Sequence, residues 1–145
     1  MNQLDDLYME IILDHYKSPR NKANLDHLGD DVLHENPSCG DSVKLDLQLD
    51  GENRITQAQF DGHGCAISTA SASLMTERLI GMNIAEAQDF LQLFLSVMRG
   101  EEEVEKLEAW GDLGVLEGVR KFPMRIKCAT LAWHALESRL EALTS

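Results

Sequence analysis

Three cysteines and one aspartate are the residues most able to do chemistry in this sequence. Cys39 lies two positions before Asp41. Cys65 follows a Gly-His-Gly sequence at residues 62–64, and Cys128 lies 63 positions after Cys65. Thiolates and carboxylates are ligands for zinc, which proteins usually hold with four groups in a tetrahedron. Cysteine is also common as a small buried hydrophobic residue, and no CxxC pair occurs here. Spacing alone therefore leaves open both a shared metal or reactive site and three structural thiols.

Composition narrows the possible partners of the protein. The chain of 145 residues has 13 basic and 25 acidic side chains, a formal charge of -12. Because it lacks a basic run, we expect no nucleic-acid binding and no attraction to an anionic membrane. A strongly acidic protein suits a basic patch on a partner. The acidic N-terminus does not resemble a signal peptide, and an odd number of cysteines then indicates reduced thiols in the cytoplasm.

Alternating apolar and polar residues predict a small sheet that must position Cys39 and Cys65. Residues 43–49 alternate with period two, which is typical of a half-buried strand, and a tight turn follows at residues 50–51. Residues 55–60 are predicted to form the next strand, and residues 32–35 a third. Cys39 would then lie where two strands meet, and Cys65 where the sheet gives way to a helix.

Helical periodicity predicts the rest of the chain. Residues 4–16 have apolar side chains at helical spacing, and Pro19 stops that helix. A second helix is predicted over residues 66–80, with its first turn at or beside Cys65, where the helix terminus favours a thiolate.

The C-terminal half is predicted to be entirely helical. A helix at residues 84–98 has capping-box spacing at its start, and residues 101–122 are expected to form short helical pieces. Pro123 precedes a last helix, which Cys128 is expected to start. Strands first and helices after indicate an α+β fold in which a small antiparallel three-stranded sheet packs against several helices. We expect residues 1–145 to form a single domain.

Three motifs together resemble those of a known family. They are Asn-Pro-Ser-Cys-Gly-Asp at residues 36–41, Gly-His-Gly-Cys-Ala-Ile-Ser at residues 62–68, and Cys128 at the start of the last helix. The chain resembles the U-type iron–sulfur cluster assembly proteins, the IscU and NifU-like family. The long interval between Cys65 and Cys128, and Lys127 in place of a histidine, are most like the SufU branch. The resemblance implies an IscU/SufU-like domain.

The resemblance also implies a metal site. Lys127 offers no lone pair as an ammonium ion, so the fourth ligand beside the three cysteines must come from elsewhere. Asp41 is the natural candidate, giving the set Cys39, Asp41, Cys65 and Cys128. Two alternatives stay open: Asp41 closes a turn instead, or His63 takes its place as ligand.

The function that the resemblance implies is iron–sulfur cluster biogenesis. A zinc-dependent relay would accept persulfide sulfur on Cys39 from a pyridoxal-phosphate cysteine desulfurase of the SufS kind, with Arg125 facing that partner. The protein would then be a sulfurtransferase that serves downstream iron–sulfur assembly components. Alternatively, the same ligands assemble a transient iron–sulfur cluster, which makes the protein a scaffold. A structural zinc adaptor, or a cysteine hydrolase using Cys39, His63 and Asp41, are further alternatives.

Overall fold

The computed structural model describes residues 3–29, 32–36 and 40–144. It contains four α-helices, three strands and a run of 3₁₀ turns: α1 (Gln3–Lys17), β1 (His34–Asn36), β2 (Asp41–Leu49), β3 (Ile55–His63), α2 (Ala66–Leu79), α3 (Ile84–Met98), the 3₁₀ stretch (Val104–Lys121) and α4 (Pro123–Thr144). The predicted α+β class is confirmed. Among the described helices, none is long and apolar enough to cross a membrane.

The sheet has three antiparallel strands, as predicted, and their order is β1-β2-β3. Val43, Leu45 and Leu47 are buried on one face of β2, and α4 and α2 pack on the sheet. This is the alternation expected of a strand with one face toward a core. The strand order makes β2 the central strand, which pairs with β1 over residues 41–43 and with β3 over residues 42–49.

The observed boundaries correct three details. The third strand is His34–Asn36, later than residues 32–35, and the segment before α4 is one long run of 3₁₀ turns. Cys128 does not start the last helix, because α4 begins at Pro123. Proline suits the first position of a helix, where its missing N–H would have no intrahelical partner. The predicted capping box of α3 is confirmed by reciprocal hydrogen bonds between Asn83 and Glu86.

A buried aromatic group joins the helices. The Trp133 ring is fully buried and stacks on Phe94 with ring centroids 3.8 Å apart, while Phe90 packs against it at a tilt. Its indole Nε1 donates a hydrogen bond of 2.8 Å to Ser71 Oγ on α2. Because buried aromatic surface and a satisfied indole N–H both favour one arrangement, this group fixes α2, α3 and α4 relative to one another.

His15 attaches α1 to α2. The His15 side chain is buried, and its Nδ1 lies 2.7 Å from Ser73 Oγ, as expected of a packing histidine. Burial, and then the nearby Arg20 guanidinium, lower the pKa of His15 from its usual 6.5. The unfolded chain therefore binds a proton at His15 more readily than the folded protein does. The free energy of unfolding is expected to decrease as the pH falls below about 6.5, toward the lower pKa of the folded state.

Gly62 lies where the backbone of β3 approaches the backbone of β2 too closely for a side chain. Its φ is +150°, and a Cβ there would overlap the backbone carbonyl of Ser42. We expect Gly62→Ala to lower the free energy of unfolding by at least about 2 kcal/mol, from strain and displacement of the strand pair. Urea denaturation of zinc-loaded protein measures the loss.

Gly51→Ala is the matched control for that change. A Cβ at Gly51 would meet open space, so its unfolding free energy should stay within about 0.5 kcal/mol of the parent. Equal stabilities of the Gly62 and Gly51 variants would contradict the close approach of the two strands.

Candidate metal centre

Three potential ligands converge at one end of the sheet. A carboxylate oxygen of Asp41 and the Sγ atoms of Cys65 and Cys128 all lie within 4.8 Å of one another. Asp41 and Cys128 are buried, and Cys65 is half-buried. Cys39, the fourth predicted ligand, lies outside the described residues, so the complete ligand set stays a prediction.

The register of β2 and β3 brings Asp41 to Cys65. Ser42 pairs with His63 across the two strands, so the antiparallel ladder points Asp41 toward the residues that follow β3. Asp41 Oδ1 accepts a 3.0 Å hydrogen bond from the Cys65 amide, and Oδ2 lies 3.9 Å from Cys65 Sγ. One carboxylate oxygen is thus fixed by the backbone, and the other faces the thiol. Asp41 therefore joins two segments instead of only closing its own turn.

Cys65 occupies the N-cap of α2. It is in an extended conformation, and the helix begins with the Thr69 amide donating to the Cys65 carbonyl. Its Sγ therefore lies beside the first turn of α2, where backbone amides have no partner within the helix. The prediction that α2 begins at or beside Cys65 is confirmed.

Contacts between α2 and α4 hold Cys128 in place. Ser71 Oγ donates a 2.5 Å hydrogen bond to the carbonyl of Ala129, the next residue after Cys128. Cys128 Sγ also lies 3.7 Å from the Met124 carbonyl, one turn earlier on α4. Because α2 begins at Cys65, the same helix places two of the three potential ligands.

Gly64 and Ser68 lie against Asp41 and Cys65, and the sequence did not assign either of them a role. A Cβ at Gly64 would lie 3.3 Å from Asp41 Oδ1 and would overlap Ser68 Oγ. Ser68 Oγ donates to the Cys65 carbonyl at 3.2 Å. The available signal was the glycine beside a cysteine, which indicates a close backbone approach but not its partner.

The predicted alternative ligand His63 lies outside this group. His63 is exposed, and within the described part of the chain the group of potential ligands comprises only Asp41, Cys65 and Cys128. A Cys39–His63–Asp41 hydrolase arrangement gains no support, since the Asp41 carboxylate faces Cys65.

Basic and apolar side chains border the site. Arg125 and Lys127 are exposed on the first turns of α4, just before Cys128. Phe122 and Met124 are 59% and 60% exposed, which is unusual for large apolar residues. We call these four residues the basic-apolar edge. It contrasts with the net charge of -12 of the whole chain.

The donor set suits a thiophilic divalent cation. Two thiolates and one carboxylate offer sulfur and oxygen ligands that zinc accepts, and a fourth group from a neighbouring segment would complete a tetrahedron. The Asp41 Oδ2 atom and the Cys65 Sγ atom face each other at 3.9 Å, so both can turn toward one ion. Among the residues that the structure describes, Asp41, Cys65 and Cys128 therefore form a group that fits a zinc ion.

Comparisons with known proteins agree with a zinc site, because one similar protein is described as zinc-dependent. A model of the NifU-like N-terminal domain matches residues 7–129. The zinc-dependent sulfurtransferase SufU of Bacillus subtilis (strain 168) is 46% identical over 136 residues, which cover 92% of this chain and 89% of that protein. The iron–sulfur cluster assembly scaffold protein IscU of Streptococcus pyogenes serotype M1 is 40% identical over 141 residues, covering 97% and 87%. The likeness spans nearly the full length of both relatives.

A solved structure shares the fold. The crystal structure of FiSufU, from the thermophilic Fervidobacterium islandicum AW-1, has a TM-score of 0.76 and 35% sequence identity. The match covers 90% of this chain and 94% of that one. The likeness supports the IscU/SufU-like arrangement of a three-stranded sheet with helices.

Two Asp41 variants test its role as a ligand. We expect one zinc per chain, and chelation should lower the melting temperature by about 10 °C because binding stabilises the folded state. Asp41→Ala should weaken zinc binding at least tenfold, measured by competition with a chelator. Asp41→Asn should do so too, although its amide oxygen can still accept from the Cys65 N–H.

Asp46→Asn on the same strand provides the control and should bind zinc as the parent does. Unchanged affinity in both Asp41 variants, or much less than one zinc per chain by elemental analysis, would contradict the proposed ligand.

Proposed function

Because this chain belongs to the NifU-like N-terminal domain family, we propose that it acts in iron–sulfur cluster biogenesis as a zinc-dependent sulfur relay. It would take persulfide sulfur from a pyridoxal-phosphate cysteine desulfurase of the SufS kind. The observation that carries this proposal is the convergence of Asp41, Cys65 and Cys128 at one end of the sheet. The protein that carries these potential ligands is also 46% identical to a zinc-dependent sulfurtransferase, the SufU of Bacillus subtilis.

The proposed metal is zinc, held by Cys39, Asp41, Cys65 and Cys128. When bound, zinc supplies a redox-silent Lewis acid that keeps cysteine thiols deprotonated near neutral pH. Asp41 orients the site through its hydrogen bond to the Cys65 amide, and α2 and α4 hold two of the sulfurs.

Cys39 is the proposed sulfur acceptor. Its thiolate attacks the terminal sulfur of the desulfurase persulfide, forming a new S–S bond to Cys39. The S–S bond within the persulfide breaks, and the desulfurase cysteine leaves as a thiolate. No net oxidation occurs, since the sulfane sulfur moves from one thiolate to another. Cys65 and Cys128 suit a holding role, because Cys65 caps α2 and Cys128 is buried within α4.

The proposed docking surface for the desulfurase is the basic-apolar edge. Phe122 and Met124 offer apolar area, and Arg125 and Lys127 offer charge that an acidic rim on the partner would complement. This edge directly precedes Cys128, so that docking there would bring the partner to the site.

A scaffold for a transient iron–sulfur cluster is the second candidate function. It is supported by the 40% identity to the scaffold protein IscU of Streptococcus pyogenes. Thiolates also ligate iron–sulfur clusters, so the donor set does not separate the two functions. Lys127 favours the relay, because in the family resemblance a histidine at this position belongs to the other branch.

Desulfurase turnover distinguishes relay from scaffold. We expect zinc-loaded protein to increase alanine formation from cysteine under reductant, and Cys39→Ser to abolish this stimulation because no acceptor thiolate remains. Zinc-free and anaerobically iron-loaded protein should stimulate at least about tenfold less. Stimulation by either of these forms equal to that of the zinc form would favour the scaffold.

Charge reversal at Arg125 tests the docking surface. Arg125→Glu should lower the affinity for the desulfurase at least about tenfold by opposing the partner's acidic rim, measured by titration calorimetry at low salt. Arg54→Glu, an exposed arginine near the α3 N-terminus, is the matched control and should bind as the parent does. If both variants stimulate the desulfurase normally, Arg125 is merely a surface charge.

A further inference from the structure

The segment between α1 and β1 crosses the sheet on the face that is turned away from the core. We call residues 21–28 of this segment the strap. Backbone hydrogen bonds of 3.1 and 3.0 Å join Asn21 and Ala23 to Phe60, so the strap begins along the edge of β3 that β2 does not use. The chain then continues to β1, which lies on the opposite side of β2.

Two charged side chains of the sheet hold the strap in this position. Asp61 Oδ2 accepts a 2.9 Å hydrogen bond from the Leu25 amide, and Lys44 Nζ donates a 2.8 Å bond to the Leu28 carbonyl. Lys44 and Asp61 lie directly opposite each other on β2 and β3, and the burial pattern of both strands turns them away from the core. Hydrogen bonds to charged groups are the stronger ones, so the strap is fixed at two points.

The same Asp61 carboxylate also contacts the residue at which β3 comes closest to β2. Its Oδ1 accepts a 2.9 Å hydrogen bond from the Gly62 amide. At Gly62 an added Cβ would overlap the Ser42 carbonyl, so the two backbones are in close contact there. Ser42 directly follows Asp41, and Gly62 lies three positions before Cys65. The position of Gly62 against Ser42 therefore helps to set the distance between two potential metal ligands.

We propose that Asp61 is a positioning residue of the metal centre. It is not among the potential ligands that the described part of the chain brings together, and it acts through Gly62. Its two oxygens hold the strap and the end of β3 in place, which keeps the Cys65 amide within reach of Asp41 Oδ1. The two ligands are then in position before an ion binds. The metal readout of this inference rests on the proposed zinc site, whereas its backbone readout does not.

Amide hydrogen exchange of the ¹⁵N-labelled full chain, measured by NMR with zinc bound and after chelation, provides the backbone readout. In Asp61→Asn the side chain keeps one oxygen that can accept, and its Nδ2 group faces a second N–H donor. We expect exchange of the Leu25, Gly62 and Cys65 amides to become at least about tenfold faster in both forms, because the strap and the end of β3 open more often.

Zinc affinity and ligand geometry provide the metal readout. Asp61→Asn should weaken zinc binding about tenfold in competition with a chelator, because groups that orient metal ligands affect affinity on this scale. It should also change the visible absorption of the cobalt-loaded protein, which reports the arrangement of ligands around the ion. If Asp61→Asn does not fold, Asp61→Ser takes its place. One hydroxyl oxygen cannot accept from both amides, so the expected loss of zinc affinity is at least about fivefold.

Two control variants separate positioning from loss of charge and from loss of stability. Asp46→Asn removes one carboxylate from the same face of the sheet and should keep Cys65 exchange and zinc affinity within about twofold of the parent. Asn83→Ala destabilises the protein through the capping box of α3 and should leave the cobalt spectrum unchanged.

Any one of three outcomes would overturn the proposal. They are an unchanged exchange rate of the Cys65 amide in Asp61→Asn, an unchanged zinc affinity and cobalt spectrum in that variant, and equal effects in Asp46→Asn or Asn83→Ala. A parent protein that binds no zinc would contradict the proposed metal instead. The exchange rates of the chelated form would then still decide whether Asp61 positions Cys65.

Discussion

The hydrogen bond from the Cys65 amide to the Asp41 carboxylate connects the end of the sheet to the start of α2. It depends on the register of β2 and β3, which pairs Ser42 with His63. A register slip of one residue would turn Asp41 toward the other face of the sheet and separate it from Cys65. The close approach at Gly62 and the absence of a side chain at Gly64 allow this geometry, because both positions face backbone or side-chain atoms of the site.

The position of the third potential ligand, Cys128, depends on helix packing and not on strand register. Cys128 is buried within α4, and its distance from Cys65 is set by how α4 lies against α2. Ser71 and Trp133 fix that arrangement through one shared hydroxyl, which donates to the Ala129 carbonyl and accepts from the indole. A metal ion bound by residues from the sheet, α2 and α4 would cross-link three parts of the fold. Metal binding and folding are for this reason expected to be coupled.

Charge is distributed unevenly around the site. The chain carries a formal charge of -12, yet Arg125 and Lys127 are exposed beside the buried Cys128. If a divalent ion is bound by thiolates and a carboxylate as proposed, these cations would partly offset the negative charge of that ligand set. Together with Phe122 and Met124 they also form a surface that differs from its surroundings in both charge and polarity. The same edge therefore serves the electrostatics of the proposed metal centre and the proposed docking of a partner.

The amino-acid sequence alone determined the element types and most of their boundaries. The period-two pattern of β2 and the capping box of α3 are local, so they were readable without tertiary contacts. The start of α4 was misplaced because Pro123 can either precede a helix or begin it. The three motifs likewise identified the family, and with it the candidate site residues.

Only the tertiary structure decided which atoms meet. Sequence left Asp41 to close a turn or to act as a ligand, and the fold directs its carboxylate to the amide and thiol of Cys65. It also left His63 as a rival, and the fold leaves that side chain exposed. Local patterns encode how each segment folds, whereas distances between segments arise from strand register and core packing, which involve residues far apart in the chain.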